Sequence, residues 1–90
     1  MKEIRFSIKF KKELQLVEKR GKNLEKFNKI LTLLVHETDL PKKYKDHKLQ
    51  GKFQGCRDCH IEPDWILIYR VLEGAIIFER TGTHSDLFKK

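Results

Sequence analysis

The N-terminal half of the chain changes from a two-residue to a helical repeat of apolar positions. Residues 2–8 alternate, with isoleucine and phenylalanine on one face, and this spacing predicts a half-buried strand. From Phe10 to Val35 apolar residues recur at intervals of three and four, as they do on one face of a helix. Gly21 stands where a first helix would end and Asn23 where a second would begin, so we predict two helices that form an antiparallel hairpin.

The C-terminal half returns to the short repeat of a sheet. The lysine-rich residues 42–52 are predicted to be a loop, and residues 53–62 to be one or two short strands kinked at a glycine. Residues 65–71 are strongly apolar, which predicts a strand buried on both faces. A Glu-Gly turn then predicts a hairpin into residues 75–83, and Ser85 is expected to cap a short C-terminal helical turn. The order β-α-α-β-β-β predicts an α+β fold, with residues 1–90 as one domain.

Composition and charge restrict the class of protein. Apolar residues make up 39% of the chain, with six phenylalanines, which is enough for a core and excludes a disordered chain. The longest unbroken apolar run, Trp65–Tyr69, is too short to span a membrane, and no apolar signal segment follows Met1, so we expect a cytoplasmic protein without membrane contact. The net charge of +7 is uneven, since residues 1–52 carry a net +8 and residues 53–90 a net −1. This asymmetry favours a polyanionic partner such as nucleic acid, although lysines that only keep a small domain soluble would give the same pattern.

Three of the four histidines flank the predicted sheet and could converge at one rim, namely His47, His60 and His84. Because histidine titrates near neutral pH, two such side chains can serve as general base and general acid in one reaction. Asp64 could orient an imidazole or act as a base itself. The fourth histidine, His36, follows a helix and is expected to be a surface residue.

Other side chains near these histidines suit an RNA substrate. Arg80 could hold a phosphate, and Trp65 and Phe88 could offer faces on which an unpaired base stacks. Metal-independent RNA cleavage needs this combination: a base takes the 2′-hydroxyl proton, a cation stabilises the phosphate, and an acid protonates the leaving 5′-oxygen.

Two cysteines raise the possibility of a zinc site. Cys56 and Cys59, with His47 and His60, include the ligand types of a Cys₂His₂ centre. Positions i and i+3 of a strand face opposite sides, however, so the two thiols could not reach one ion. We therefore predict no metal, and interpret both cysteines as small apolar fillers.

Three motifs lie in order between Tyr44 and Phe88. They are Asp46-His47-x-Leu49-x-Gly51, then Arg57-Asp58-x-His60-Ile61-Glu62-Pro63-Asp64-Trp65-Ile66-Leu67-Ile68-Tyr69, and then Phe78-Glu79-Arg80-Thr81-Gly82-Thr83-His84 with Leu87-Phe88. In this order and spacing they resemble the YafQ-type mRNA interferase toxins of the RelE/ParE superfamily. The resemblance implies a RelE-like fold, with two N-terminal helices packed on a twisted antiparallel sheet. It also implies a toxin of a type II toxin–antitoxin pair, an endoribonuclease that inhibits translation by cutting mRNA in the ribosomal A site.

The resemblance also implies roles for particular residues and partners. By motif position the catalytic set is His47, His60, Asp64 and His84, and the mRNA-binding set is Trp65, Arg80 and Phe88. Lys48 and Lys52 of the basic loop are predicted to bind RNA phosphates as well. The implied partners are an antitoxin of the ribbon-helix-helix type, the 70S ribosome with its mRNA, and operator DNA only through the antitoxin complex; no cofactor is implied.

Two other functions stay open at this point. One is a ParE-like gyrase-inhibiting protein, which would need none of the three histidines. The other is a ribosome-independent RNase or an RNA-binding module. The sequence does not indicate the codon preference, the antitoxin's identity, or which residue is acid and which is base.

Overall fold

Residues 1–88, which are those that the computed structural model describes, form three helices and a five-stranded sheet. The elements are β1 (Glu3–Phe6), α1 (Ile8–Lys19), α2 (Leu24–Val35), β2 (His47–Lys48), β3 (Arg57–Glu62), β4 (Trp65–Leu72), β5 (Ala75–Gly82) and α3 (His84–Phe88). Short 3₁₀ turns over Lys42–Tyr44 and Gly51–Phe53 lie on either side of β2. The predicted α+β class is confirmed, and the last two lysines of the predicted domain lie outside the described residues.

The two long helices begin and end at residues suited to those positions. The Ser7 side chain accepts the Phe10 N–H at 2.9 Å, which starts α1 and makes β1 shorter than the alternation predicts. Gly21 follows α1 with φ of +92°, a conformation that favours glycine, and Asn23 caps α2 by accepting the Glu25 N–H at 3.0 Å. Both predicted helix boundaries are therefore confirmed. Across residues 1–88, no helix combines the length and the apolar character that a membrane crossing requires.

The sheet has the strand order β1-β5-β4-β3-β2, and it is mixed rather than antiparallel. β1 runs parallel to β5, with Glu3 opposite Ala75, whereas the other neighbouring strands are antiparallel. The prediction of a fully antiparallel sheet is wrong at this pair, because a pairing between distant segments leaves no local turn signal. The loop prediction is also wrong at His47–Lys48, since these two residues pair with Arg57 and Asp58 as β2.

The two faces of the sheet are covered differently. On one face α1 and α2 bury an aromatic and aliphatic cluster, which includes Phe10, Phe27, Ile30, Trp65, Leu67, Tyr69 and Phe78. On the other face a smaller cluster lies under α3 and the segment after β2; it comprises Cys56, Ile66, Ile68 and Leu87, with Leu49, Phe53 and Phe88 at its edge. The predicted burial of β4 on both faces is confirmed. The two cysteines are buried in opposite clusters, as expected of apolar fillers.

The last helix starts two residues earlier than expected. Thr83 Oγ1 accepts the Asp86 N–H at 3.0 Å, and Asp86 Oδ2 accepts the Thr83 N–H at 3.0 Å. This reciprocal capping replaces the predicted cap at Ser85 because a carboxylate three residues after Thr83 closes the pair of bonds. As a result His84 becomes the first residue of α3.

Candidate active site

The three predicted histidines form a row on the sheet face opposite α1 and α2. The ring centroids of His47 and His60 are 6.5 Å apart, and those of His60 and His84 are 5.4 Å apart. His60 lies opposite Ile66 in the β3–β4 register, which places it on the face of the smaller apolar cluster. The predicted convergence is confirmed, and we call these three side chains the histidine row.

His84 is held by Asp64, which lies in the turn between β3 and β4. Asp64 Oδ1 accepts the His84 backbone N–H at 2.9 Å and lies 2.6 Å from the ring nitrogen Nδ1. The backbone hydrogen bond, followed by the side-chain one, lowers the pKa of Asp64, so this residue is an anion at neutral pH. Since a carboxylate only accepts, Nδ1 carries a proton, and Nε2 is the nitrogen available for proton exchange.

His47 is oriented in a similar way. Its Nδ1 lies 2.8 Å from the Lys45 carbonyl oxygen and 3.1 Å from Asp58 Oδ1. Both neighbours are acceptors, so Nδ1 carries the proton and Nε2 is again available for exchange.

The segment that carries His47 is anchored through the preceding residue, Asp46. Arg57 donates to both Asp46 oxygens, at 3.2 and 3.0 Å, and the Tyr69 hydroxyl donates to Oδ1. The Asp46 bond and the burial of the phenol raise the pKa of Tyr69, with burial the larger cause, so Tyr69 keeps the proton that it donates. The loop is thereby bound to β3 and β4 at the residue next to His47.

A buried carboxylate beneath the row is not among the site residues that the sequence predicts. Asp58 is only 3% exposed, and its Oδ1 faces His47. Burial raises the pKa of Asp58, while the nearby charges of His47 and His60 act in the opposite direction. The signal that could have identified it is its position two residues before His60, since alternate strand residues share a face.

His60 occupies the middle of the row and is half-buried. Burial is the largest cause that lowers its pKa; Asp58 opposes this, and the neighbouring His84 adds to it. His60 therefore favours the neutral imidazole, which is the form that can accept a proton.

The prediction that an RNA base stacks directly on Trp65 is wrong. The indole is 0% exposed, and its Nε1 donates to Thr81 Oγ1 at 2.9 Å within the core. The strong apolar run around it places the ring under the helices, so Trp65 supports the site only by packing.

Arg80 is engaged by an acidic partner from α1. Its guanidinium binds the Glu13 carboxylate with Nε at 2.9 Å and Nη2 at 2.7 Å, and both side chains are mostly buried. Glu13 is therefore a direct competitor for any phosphate at Arg80, and the role of Arg80 in RNA binding stays a prediction.

The remaining predicted RNA-binding residues lie at the border of the row. Phe88 of α3 has its ring centroid 6.2 Å from that of His84, and it packs edge-on against Phe53 at 5.8 Å. Lys48 follows His47 on β2 and is exposed, while Lys52 places its Nζ 5.2 Å from the Phe53 ring centroid. The sequence does not single out Phe53, because one aromatic residue next to a lysine-rich loop carries no pattern.

The sequence matches a family profile over residues 2–89, and that family is described as the bacterial toxin of a type II toxin–antitoxin system, YafQ. The chain belongs to the YafQ family. The mRNA interferase toxin YafQ of Escherichia coli strain K12 is 48% identical over 88 residues, which cover 97% of this chain and 96% of that protein.

Solved structures of similar proteins share this YafQ fold. The toxin in the crystal structure of the E. coli DinJ–YafQ complex has a TM-score of 0.91 and 46% identity, covering 98% of this chain and 99% of that chain. A metal-bound toxin from Helicobacter pylori has a TM-score of 0.92 and 38% identity, covering 98% and 100%. Both confirm the fold class predicted for this protein.

The metal-bound relative raises the question of whether this chain offers a comparable donor set. Among residues 1–88, no three histidine, cysteine, aspartate or glutamate side chains come together to hold one ion. Asp64 already binds Nδ1 of His84, and the Lys45 carbonyl oxygen binds Nδ1 of His47. No step of the reaction below is assigned to a metal.

Proposed function

We propose that this YafQ-family toxin is an endoribonuclease that cuts mRNA on the ribosome and thereby inhibits translation. The observation that carries the proposal is the histidine row, in which two rings have Nδ1 bound and Nε2 available for proton exchange. The name of the E. coli relative, an mRNA interferase, supports the same activity. The basic N-terminal half adds a surface suited to RNA phosphates.

The environments of the rings support a division of labour. His60, whose pKa is lowered by burial, is suited to take the proton of the 2′-hydroxyl. The 2′-oxygen then attacks the adjacent phosphorus, and the bond to the 5′-oxygen of the next nucleotide breaks. His84 gives a proton to that oxygen, because Asp64 binds its Nδ1 and thereby orients the ring with Nε2 available for proton exchange. The products are a 2′,3′-cyclic phosphate and a 5′-hydroxyl.

His47 and Asp58 complete the proposed machinery. Asp58 lies beside His47 beneath the row, where a carboxylate stabilises positive charge on the imidazoles during proton transfer. His47 is the second candidate for the base, since its Nε2 is also available for exchange. Phe88 beside His84 offers a ring for a base of the mRNA.

We further propose that cleavage depends on the ribosome. A net charge of +8 on residues 1–52 suits ribosomal RNA, and a codon held in the A site would be presented to the row already oriented. Positioning of this kind can contribute about 7–11 kcal/mol to lowering a barrier. The cytoplasm, where ribosomes translate, is the proposed location.

The experiment compares one mRNA in free and ribosome-bound form. We expect cuts only on the ribosome-bound mRNA, with 2′,3′-cyclic phosphate ends. Equal cutting of both forms would instead indicate a ribosome-independent RNase, and the absence of cuts together with inhibited DNA supercoiling would indicate a gyrase inhibitor.

We propose that a cognate antitoxin restrains the toxin, as the E. coli DinJ–YafQ complex indicates for that relative. A ribbon-helix-helix protein is the expected type, and operator DNA should bind only to the complex. Copurification of the product of an adjacent gene, followed by DNA-binding assays on the toxin alone and on the complex, tests both statements.

A further inference from the structure

A basic pocket of about 420 Å³ lies next to the histidine row, between α2 and the 3₁₀ turn before β2. Its lining includes Lys26, Lys29, Lys43, Tyr44, Lys45 and His60. We call it the lysine pocket. His60 belongs to both, so the lysine pocket and the row meet at this residue, on the outer edge of β3.

The charge in the lysine pocket is largely uncompensated. Glu62 is the one carboxylate of its lining, and it already binds Lys22 at 2.6 Å and Lys26 at 2.7 Å. Within residues 1–88, no carboxylate lies within 4.0 Å of Lys29, Lys43 or Lys45. Three ammonium groups on two separate elements are thus available to an anion.

The pocket also has an aromatic wall and an open side. Tyr44 is half-buried in the lining, and Lys43 Nζ lies 5.1 Å from its ring centroid. In the described part of the chain β2 pairs only with Arg57 and Asp58, so no strand of residues 1–88 covers the rest of the outer edge of β3. A cationic groove with an aromatic side chain is the combination that binds single-stranded RNA without sequence preference.

We propose that the lysine pocket binds the backbone of the substrate RNA strand on the 5′ side of the cleaved bond, with a base against Tyr44. The proposal rests on the proposed function. In the proposed reaction His60 faces the 2′-hydroxyl of the nucleotide on the 5′ side of the cut. The neighbouring His84 faces the leaving 5′-oxygen, which belongs to the nucleotide on the 3′ side. The strand therefore continues in its 5′ direction past His60, where the lysine pocket opens.

The first test measures binding by the protein alone. The pocket variant combines Lys29→Gln, Lys43→Gln and Lys45→Gln, and its matched control combines Lys11→Gln, Lys12→Gln and Lys19→Gln on the exposed surface of α1. The probe is a fluorescent oligoribonucleotide with a 2′-deoxy group at the cleaved nucleotide, titrated in a salt series. We expect the pocket variant to bind about tenfold more weakly at low salt, and the slope of log affinity against log salt to fall by about 0.7 for each phosphate that it no longer binds. Equal losses of affinity in both variants would show a general effect of charge, and would overturn the proposal that the lysine pocket binds RNA.

The second test locates the bound phosphate on the strand. A neutral methylphosphonate replaces either the phosphate 5′ of the cleaved bond or the one 3′ of it, in mRNA bound to the ribosome. We expect the 5′ replacement to slow the unmodified protein about tenfold and to slow the pocket variant no further, because the two changes remove the same interaction. The 3′ replacement should affect both proteins alike; additive effects of the pocket variant and the 5′ replacement would overturn the assignment.

The two proposals fail in different ways. If the unmodified protein cuts no mRNA but its binding of the oligoribonucleotide depends on the pocket lysines, the nuclease proposal fails and the proposed RNA binding by the lysine pocket is supported. If cleavage proceeds and the pocket variant binds the oligoribonucleotide with the same affinity as the control variant does, only the proposal that the lysine pocket binds RNA is overturned.

Discussion

His84 and His60 lie side by side, but their rings have different partners. His84 is tied to the anionic Asp64, whereas His60 is half-buried and favours its neutral form. This difference supports His84 as the acid and His60 as the base.

Replacement of His84 tests its proposed role as the general acid. His84→Gln should slow cleavage of ribosome-bound mRNA by about 10²–10⁴-fold, because a general acid contributes on that order, while ribosome binding stays nearly unchanged. Single-turnover cleavage measures this. His36→Gln, a change at an exposed histidine after α2, is the control and should cleave at the unmodified rate. A His84→Gln protein that cleaves as fast as the control would remove His84 from the chemistry.

The burial of His60 predicts a pH dependence of stability. Its folded-state pKa lies below the unfolded value of about 6.5, so the unfolded chain binds the proton more tightly. The free energy of unfolding should therefore fall as the pH drops below about 6.5, and His60→Gln should lose less stability over that range. Asp58, whose pKa is raised, has the opposite effect at more acid pH and is present in both proteins. Urea unfolding at pH 7.5 and 5.5 measures the difference; parallel losses in both proteins would contradict the argument.

The sequence predicts the elements whose causes are local. Gly21 and Asn23 mark the helix boundaries because each acts on the backbone next to it, and the apolar run from Trp65 predicts the buried strand β4. β2 escapes prediction because two residues are too few to show an alternation. The Arg80–Glu13 pair escapes as well, since it joins residues 67 positions apart.

The same division holds for the candidate site. Residue type and motif predict the three histidines but not Asp58, because burial decides its role and a single charged residue on a strand does not report burial. Trp65 was misjudged for the opposite reason, since an aromatic residue serves equally as a stacking surface or as core.

The anchoring of the His47 segment to β4 can be measured through Tyr69. Tyr69→Phe removes the donor to Asp46 while Arg57 keeps its two bonds, so the free energy of unfolding should fall by about 1 kcal/mol. Tyr44→Phe is the matched control, and it should change stability by less than about 0.5 kcal/mol because its hydroxyl makes no hydrogen bond within residues 1–88. Equal effects in urea unfolding would show that the bond to Asp46 does not stabilise the segment.

The uneven charge of the molecule predicts how it meets the ribosome. Lys48 and Lys52 lie near β2, at the opposite edge of the sheet from β1. Replacing both by alanine should lower ribosome affinity most at low salt, and should reduce the slope of log affinity against log salt by about 0.7–0.9 for each phosphate that is no longer bound. Sedimentation binding at several salt concentrations measures this.

Arg5→Ala provides the comparison, because Arg5 is an exposed cation on β1 that is paired with Glu3. It should leave the slope nearly unchanged. If the double lysine variant keeps the unmodified slope, the edge near β2 does not contact ribosomal RNA.

The parallel pairing of β1 with β5 has a consequence for the synthesis of the protein. Residues 3–6 are synthesised before their partners at residues 75–78, so a nascent chain holds β1 without its neighbour while the residues between them are made. His84 is made later still. Truncated chains that stop before residue 75 would carry the basic half without a complete sheet or a complete histidine row. The three rings can thus meet only after residue 84 has been added to the chain.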